Sequence, residues 1–277
     1  MAGSRVVIRI RNTAHLTTGL ALAILFVAPL VWTAWSSVSG PRATGGTSGF
    51  GDDNYQRLLG YGAGLWTYLA NSAVVAVLTV AGTLFVSVLA GYALARFRFP
   101  GRNVLFLATL AIMMVPYPTI LIPLYVMLGW LGLQNSLPGL AIVLIMFQLP
   151  FAMFMMRNSF ESVPRELDEA ALVDGAGTIR VLWSVLLPAV VPGMVTVGLF
   201  AFLASWNEFI APLIFLSDGD KYTLPTALAA MRSGNFGAID YGALQAGIVV
   251  SAIPCMILFI LLQRHYVRGF SSGALKG

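Results

Sequence analysis

The chain has 277 residues, 58% of them apolar and only 10% charged, with a net charge of +5 and a mean hydropathy of +0.84. A soluble domain carries about 25% charged residues, so most of this surface must face lipid and not water. The basic residues stand in small clusters beside apolar runs, which sets topology and argues against a nucleic-acid patch, and a single cysteine, Cys255, excludes an intramolecular disulfide.

A helical crossing takes about 20 apolar residues, because every backbone amide in hydrocarbon must bond within its own segment. A basic start (Arg5, Arg9, Arg11) precedes the first predicted span, residues 16–38. That run is too long for a signal core and lacks a convincing cleavage pattern, so it reads as retained. The linker 39–64 is rich in Gly, Ser and Thr, carries Asp52 and Asp53, and forms an external loop with room for a short helix. The second span covers 68–94. Residues 103–156 hold no charged side chain, too long for one crossing and right for two. Gly132, Gln134, Asn135, Ser136 and Pro138 supply the turn chemistry that divides them within 129–138. The fifth span covers 186–215 and the sixth 242–263, which gives an all-α polytopic membrane protein of six helices.

Orientation follows from Lys and Arg. Twelve of the sixteen basic residues fall on one side: Arg5, Arg9, Arg11, Arg96, Arg98, Arg102, Arg157, Arg165, Arg180, Arg264, Arg268 and Lys276. Only Arg42, Arg57, Lys221 and Arg232 fall on the other. The bias places both termini and the loop 161–188 in the cytoplasm of a multi-pass inner-membrane protein.

That loop is predicted to be compact. Pro164 suits the first turn of a helix, and Glu166, Asp168 and Glu169 follow where carboxylates favour the positive end of the helix dipole. Gly175 stands where a left-handed turn stops the helix, and Thr178 can cap a second short helix toward Leu187. One face presents Leu167, Ala170 and Ala171, small enough for another surface to approach, with Glu169 and Asp174 at the rim to meet basic groups. Spacing alone leaves open an ordinary loop resting on its own helix ends.

The segment 169–188 reads EAALVDGAGTIRVLWSVLLP: Glu169-Ala170-Ala171, three residues, Gly175, nine residues, then Val185-Leu186-Leu187-Pro188. It resembles the cytoplasmic EAA loop of ABC-importer permeases, with a valine where an isoleucine is usual. Further stretches are similar to the carbohydrate-importer class, the maltose-type membrane subunits: ARFRFPGR at 95–102, Val115-Pro116-Tyr117, Trp206-Asn207-Glu208-Phe209 with Pro212-Leu213, and GFSSGALKG at 269–277. The resemblance implies a type I ABC importer with a methionine-importer-like permease core. Residues 1–64 then form an N-terminal segment with the first span and external loop, and 65–277 the core of five spans, with the coupling loop at 161–188 and a tail at 264–277. It also implies ATPase-coupling residues Glu169, Ala170, Ala171, Asp174, Gly175 and Pro188. The implied partners are a second permease, a dimer of ABC ATPases, an external solute-binding protein and membrane lipid. ATP and magnesium belong to the ATPase, and this chain has no G-x-x-x-x-G-K-[ST] segment. The solute is expected to be a sugar or sugar derivative, with a glycerol-phosphate type as the alternative.

Glu208 is the one acid inside a predicted span. With Trp206 and Asn207 it is a candidate pore or gate residue; the competing reading is a helix interruption whose polar groups satisfy freed backbone. Pro192-Gly193 and Pro254 suggest kinks that shape a cavity. Met113, Met114, Met153 and Met155 read as packing or lipid-facing residues, and Arg264, His265 and Arg268 as headgroup anchors. Two rivals fare worse. An ion-driven secondary transporter predicts inverted repeats and midplane acids that are not evident beyond Glu208. A membrane enzyme needs a constellation, yet His15 and His265 lie at opposite ends and neither catalytic nor metal-binding spacing occurs.

Overall fold

The computed structural model describes residues 2–40, 49–234 and 239–274, with side chains for 15–39, 50–234 and 239–263. The terminal anchors Arg264, His265 and Arg268, the N-terminal Arg5, Arg9 and Arg11, and Arg42 lie outside the described side chains; so does the tail resemblance from Gly269 on. Contacts divide the chain into two compact units, 1–61 with 231–252 and 62–230 with 253–277.

In the first unit α1 (Ala2–Val38) contains the first span, His15–Val38, whose most apolar window is exposed throughout, as a lipid-facing helix is. A two-residue antiparallel ladder follows, β1 (Ser39–Gly40) with β2 (Gly49–Phe50), pairing Ser39 with Phe50 and Gly40 with Gly49. The short helix for which the linker had room is α2 (Asp53–Leu59). Its buried Asn54 donates through Nδ2 to the carbonyls of Ser37 at 2.8 Å and of Ser36 and Ser39 at 3.3 Å, capping the orphan end of α1. Arg57 pairs with both Asn54 and Asp240. Asp240 in turn accepts the amide of Ala243 at 3.0 Å at the start of the last helix.

The second unit is the helical core. α3 (Leu65–Arg96) carries Thr79, Thr83, Ser87, Gly91 and Ala95 at every fourth position, a buried row of small residues. Small residues let helix backbones approach in a membrane, where apolar burial gives no net drive. A Cβ on Gly91 would stand 2.6 Å from the Cβ of Met156 and 2.9 Å from the amide nitrogen of Arg157, so the seam between α3 and α6 (Leu137–Glu161) admits only glycine there. The polypeptide between them holds the expected third span, but not as one rod. α4 (Arg102–Ala111) ends in a tight turn at Ile112–Met114, and α5 (Tyr117–Trp130) leaves at 105° to it. Pro116 is the cause: it forces Val115 into an extended conformation and withholds the amide that would carry the helix on. Five continuous apolar helices and this broken pair make up the six expected crossings among the described residues.

The turn predicted between the third and fourth spans is present, with Gly132 at φ +67° and Asn135 at φ +50°. Ser136 caps α6 (Leu137–Glu161) by accepting the amide of Gly139 at 3.1 Å. Leu121, Leu124 and Leu128 of α5 pack with Leu140, Val143 and Leu144 of α6 and with Phe215, forming one cluster. A second cluster, around Val88, Met156, Phe160, Leu182, Leu186 and Val190, sits beneath the loop 161–188.

Candidate coupling element and helix junction

α7 (Arg165–Val173) begins at Pro164 and carries Glu166 and Asp168 in its first turn, as the sequence predicts. Its end is a Schellman turn: Ala176 donates to the Ala171 carbonyl at 3.0 Å, and Gly175, at φ +80°, donates to Leu172 at 3.0 Å. The second helix differs from expectation. Thr178 does not cap it; Gly177 occupies the cap position, and Thr178 is the first helical residue of α8 (Thr178–Val181). Nor does it stop near Leu187, because a π-helical segment, Leu182–Leu186, carries it straight into α9 (Leu187–Trp206). Pro188 explains the wider turn: it has no N–H for the carbonyl four residues back, and its ring crowds that oxygen.

The expected alanine face also needs correction. Ala171 does not face outward with Leu167 and Ala170; it packs with Ala176 against the inner cluster, at the hydrophobic contact of the Schellman turn. Glu169, Ala170, Asp174, Gly175 and Pro188 are exposed. The apolar surface this segment offers is instead Leu167, Leu172, Val173 and Ile179, the last two 87% and 76% exposed. Helical spacing gives Leu172, Val173 and Ile179 no inward or outward preference in such short helices, so of the four the sequence singled out only Leu167.

A contact between distant segments fixes α7. Arg96 Nε lies 2.9 Å from Asp168 Oδ2, and Arg96 Nη2 donates to the Val163 carbonyl at 2.9 Å. Arg165 Nη2 reaches back to the Ala95 carbonyl at 3.5 Å. Burial pushes the Asp168 carboxyl up from its ordinary pKa, while Arg96 and Arg165 pull it down and Glu169 raises it. A polar cavity of about 550 Å³ opens beside the pair, lined by Arg96, Arg102, Glu161, Arg165 and Glu166 among others.

The three candidate gate residues come together at the end of α9. Trp206 is buried and stacked on Phe202, with ring centroids 5.5 Å apart. Asn207 is exposed and donates through Nδ2 to the Leu203 carbonyl at 2.8 Å, closing the end of α9. Glu208 turns back on the chain: Oε1 accepts the amides of Ile210 at 2.8 Å and Ala211 at 3.1 Å, the first free donors of α10 (Ile210–Phe215). The interruption reading therefore describes the geometry of Glu208. Tyr117, at the start of α5, directs its hydroxyl toward the same carboxylate without an ordinary hydrogen bond. The break in the fifth span thus meets the break in the third.

The family described as binding-protein-dependent transport system inner membrane component matches residues 86–272. The chain belongs to that family. It is 36% identical over 92% of its length to the diacetylchitobiose uptake system permease protein NgcG of Streptomyces coelicolor, covering 85% of that protein. To the arabinooligosaccharides transport system permease protein AraQ of Halalkalibacterium halodurans it is 36% identical, over 78% of this chain and 76% of that one. Among solved structures it is similar to a chain of a bacterial ABC transporter involved in import of the acidic polysaccharide alginate, with a TM-score of 0.78 at 24% identity, over 92% of this chain and 96% of the other. It is a membrane subunit of an ABC importer, and hydrolysis of ATP belongs to a separate subunit.

Proposed function

We propose that this chain forms half of the membrane pathway of an importer for a sugar or sugar derivative, most nearly an oligosaccharide. A second permease supplies the other half, an external solute-binding protein delivers the solute, and one subunit of an ATPase dimer docks on α7 and α8 from the cytoplasm. ATP and magnesium are held on that dimer. The observation that carries the docking reading is the exposed apolar surface of Leu167, Leu172, Val173 and Ile179 on an otherwise polar loop at the end of the spans. Apolar side chains held out of both lipid and core are a mark of a partner surface. Glu169 and Asp174, exposed on the same element, supply the charged rim. The sugar reading is supported by the oligosaccharide names of the relatives.

Movement of the docked element would then tilt the spans between outward- and inward-open states, with the solute bound differently in each. The test is reconstitution with the permease, ATPase and binding protein encoded beside this chain. Val173→Glu and Ile179→Glu should each lose the ATPase on co-purification and lower uptake about tenfold or more, the scale of a removed interface anchor, while the two permeases stay paired. Unchanged ATPase retention in both variants overturns docking through this surface. Uptake of diacetylchitobiose, arabino-oligosaccharides and glycerol 3-phosphate is compared in the same vesicles. Preference for the phosphate ester overturns the sugar assignment, and uptake that survives without ATP but follows an ion gradient overturns the ATP-driven reading.

A further inference from the structure

The element that receives the ATPase must be tied to the spans it moves, and the two ends of α7 are tied differently. At its start, α7 is clamped to the last turn of α3. Arg96, with a side chain 7% exposed, holds Asp168 at 2.9 Å and the Val163 carbonyl at 2.9 Å, and Arg165 returns a bond to the Ala95 carbonyl. One planar guanidinium thus donates to the turn before the helix through Nη2 and faces the helix's Asp168 carboxylate as an ion pair, which fixes orientation as well as distance. At its other end, α7 passes through the Gly175 turn into the π-helical segment Leu182–Leu186, where the ladder of α9 is already interrupted ahead of Pro188. The first link resists deformation. The second is where a helix yields.

We infer that Arg96 is a positioning residue for coupling: through Asp168 and the Val163 carbonyl it locks α7 to α3, so that displacement of α7 moves α3 and the tightly seamed α6 as one body, while the π-helical segment absorbs the difference toward α9. This inference rests on the docking reading above. Burial gives the pair its role. Removing one partner leaves a charge out of water and uncompensated, so the clamp holds as a unit or fails as one. The tightness of the seam at Gly91 and Met156 carries the motion onward, because packed helices shift together and do not deform continuously.

The experiment uses the reconstituted assembly in a Cys255→Ser background with Arg96→Cys and Asp168→Cys combined. Without a bridge, the double variant should retain the ATPase and hydrolyse ATP within about twofold of the parent, while solute taken up per ATP falls about tenfold, the usual size of a lost coupling between sites. A bis-methanethiosulfonate linker across the two thiols should restore uptake, and reduction should abolish it again. A purely structural role predicts no such reversible rescue. Parental uptake per ATP in the unbridged variant overturns the inference, as does a bridged assembly that stays uncoupled. Arg96→Lys keeps the charge and loses the guanidinium that spans the Asp168 carboxylate and the Val163 carbonyl, so it should lower uptake per ATP with hydrolysis intact; parental uptake there also overturns it. Val173→Glu separates the two ideas. If that variant keeps its ATPase, docking through α7 fails, whatever the Arg96 variants do.

Discussion

Glu208 shows what an acid inside an apolar span can bond to. Its carboxylate accepts the two amides that the start of α10 leaves without helical partners, and a capping acceptor of this kind contributes about 1 kcal/mol. Glu208→Gln keeps an acceptor oxygen and loses only the charge; Glu208→Ala loses both. Thermal unfolding of the purified protein should therefore rank the parent above Gln and Gln above Ala, with Ala costing about 1–2 kcal/mol, and solute preference should be the same in all three. A changed order of preferred solutes in Glu208→Gln would instead make the carboxylate part of the binding site. The sequence located this residue and offered the interruption reading, but did not say which backbone groups it meets. Its partners are backbone groups two and three residues on, which no side-chain motif records. Arg96 and Asp168 were equally visible as a basic loop residue and a first-turn acid, and equally mute about each other. No spacing rule links positions so far apart, and only the packing of α3 beside α7 brings them within 2.9 Å.

At the level of elements, the predictable parts were those that local chemistry decides. The stop at Gly175, the turn before Ser136 and the start of α7 after Pro164 each follow from one residue's backbone preference. The break at Val115-Pro116 was hidden in an uncharged run, because hydropathy measures transfer to lipid and is indifferent to the direction of the helix. The π-helical segment was hidden for a similar reason: Pro188 announces a disturbance four residues back but not how the ladder is repaired. The α3–α6 seam gives the test at this scale. Gly91→Ala places a methyl within 2.6 Å of Met156 Cβ and 2.9 Å of a backbone nitrogen that cannot move aside. It should cost about 1–3 kcal/mol by overpacking and lower the unfolding temperature in detergent. Gly19→Ala, where a Cβ meets nothing within 4 Å, should leave that temperature unchanged or slightly higher. Equal tolerance at the two sites would show that the backbones do not approach as described.

For the whole molecule, the composition decides more than any motif. With only 10% of residues charged, the placement of those few charges predicts an orientation. The twelve-to-four division of Lys and Arg puts Arg96, Arg102, Arg157 and Arg165 at one end of the core, around the loop that α7 and α8 build. At the other end, the segment from Asp218 to Thr223 is fastened by Asn71, which donates to the carbonyls of Asp220 at 2.8 Å and Tyr222 at 3.0 Å, and by Asn135, which donates to Asp218 at 2.6 Å. Lys221 and Asn135 together hold the Asp218 carboxyl below its ordinary pKa. Both ends are thus ordered, and each offers a small or exposed position for a reporter. In a Cys255→Ser background, Gly177→Cys should react with a membrane-impermeant maleimide only in inside-out vesicles, and Asp220→Cys only in intact cells. The opposite pattern would place α7 outside, beyond reach of any cytoplasmic ATPase, and would remove the basis for coupling through Arg96. Reaction of both positions from one side would mean that an odd number of spans does not separate them, so that the interrupted fifth helix fails to cross as assigned.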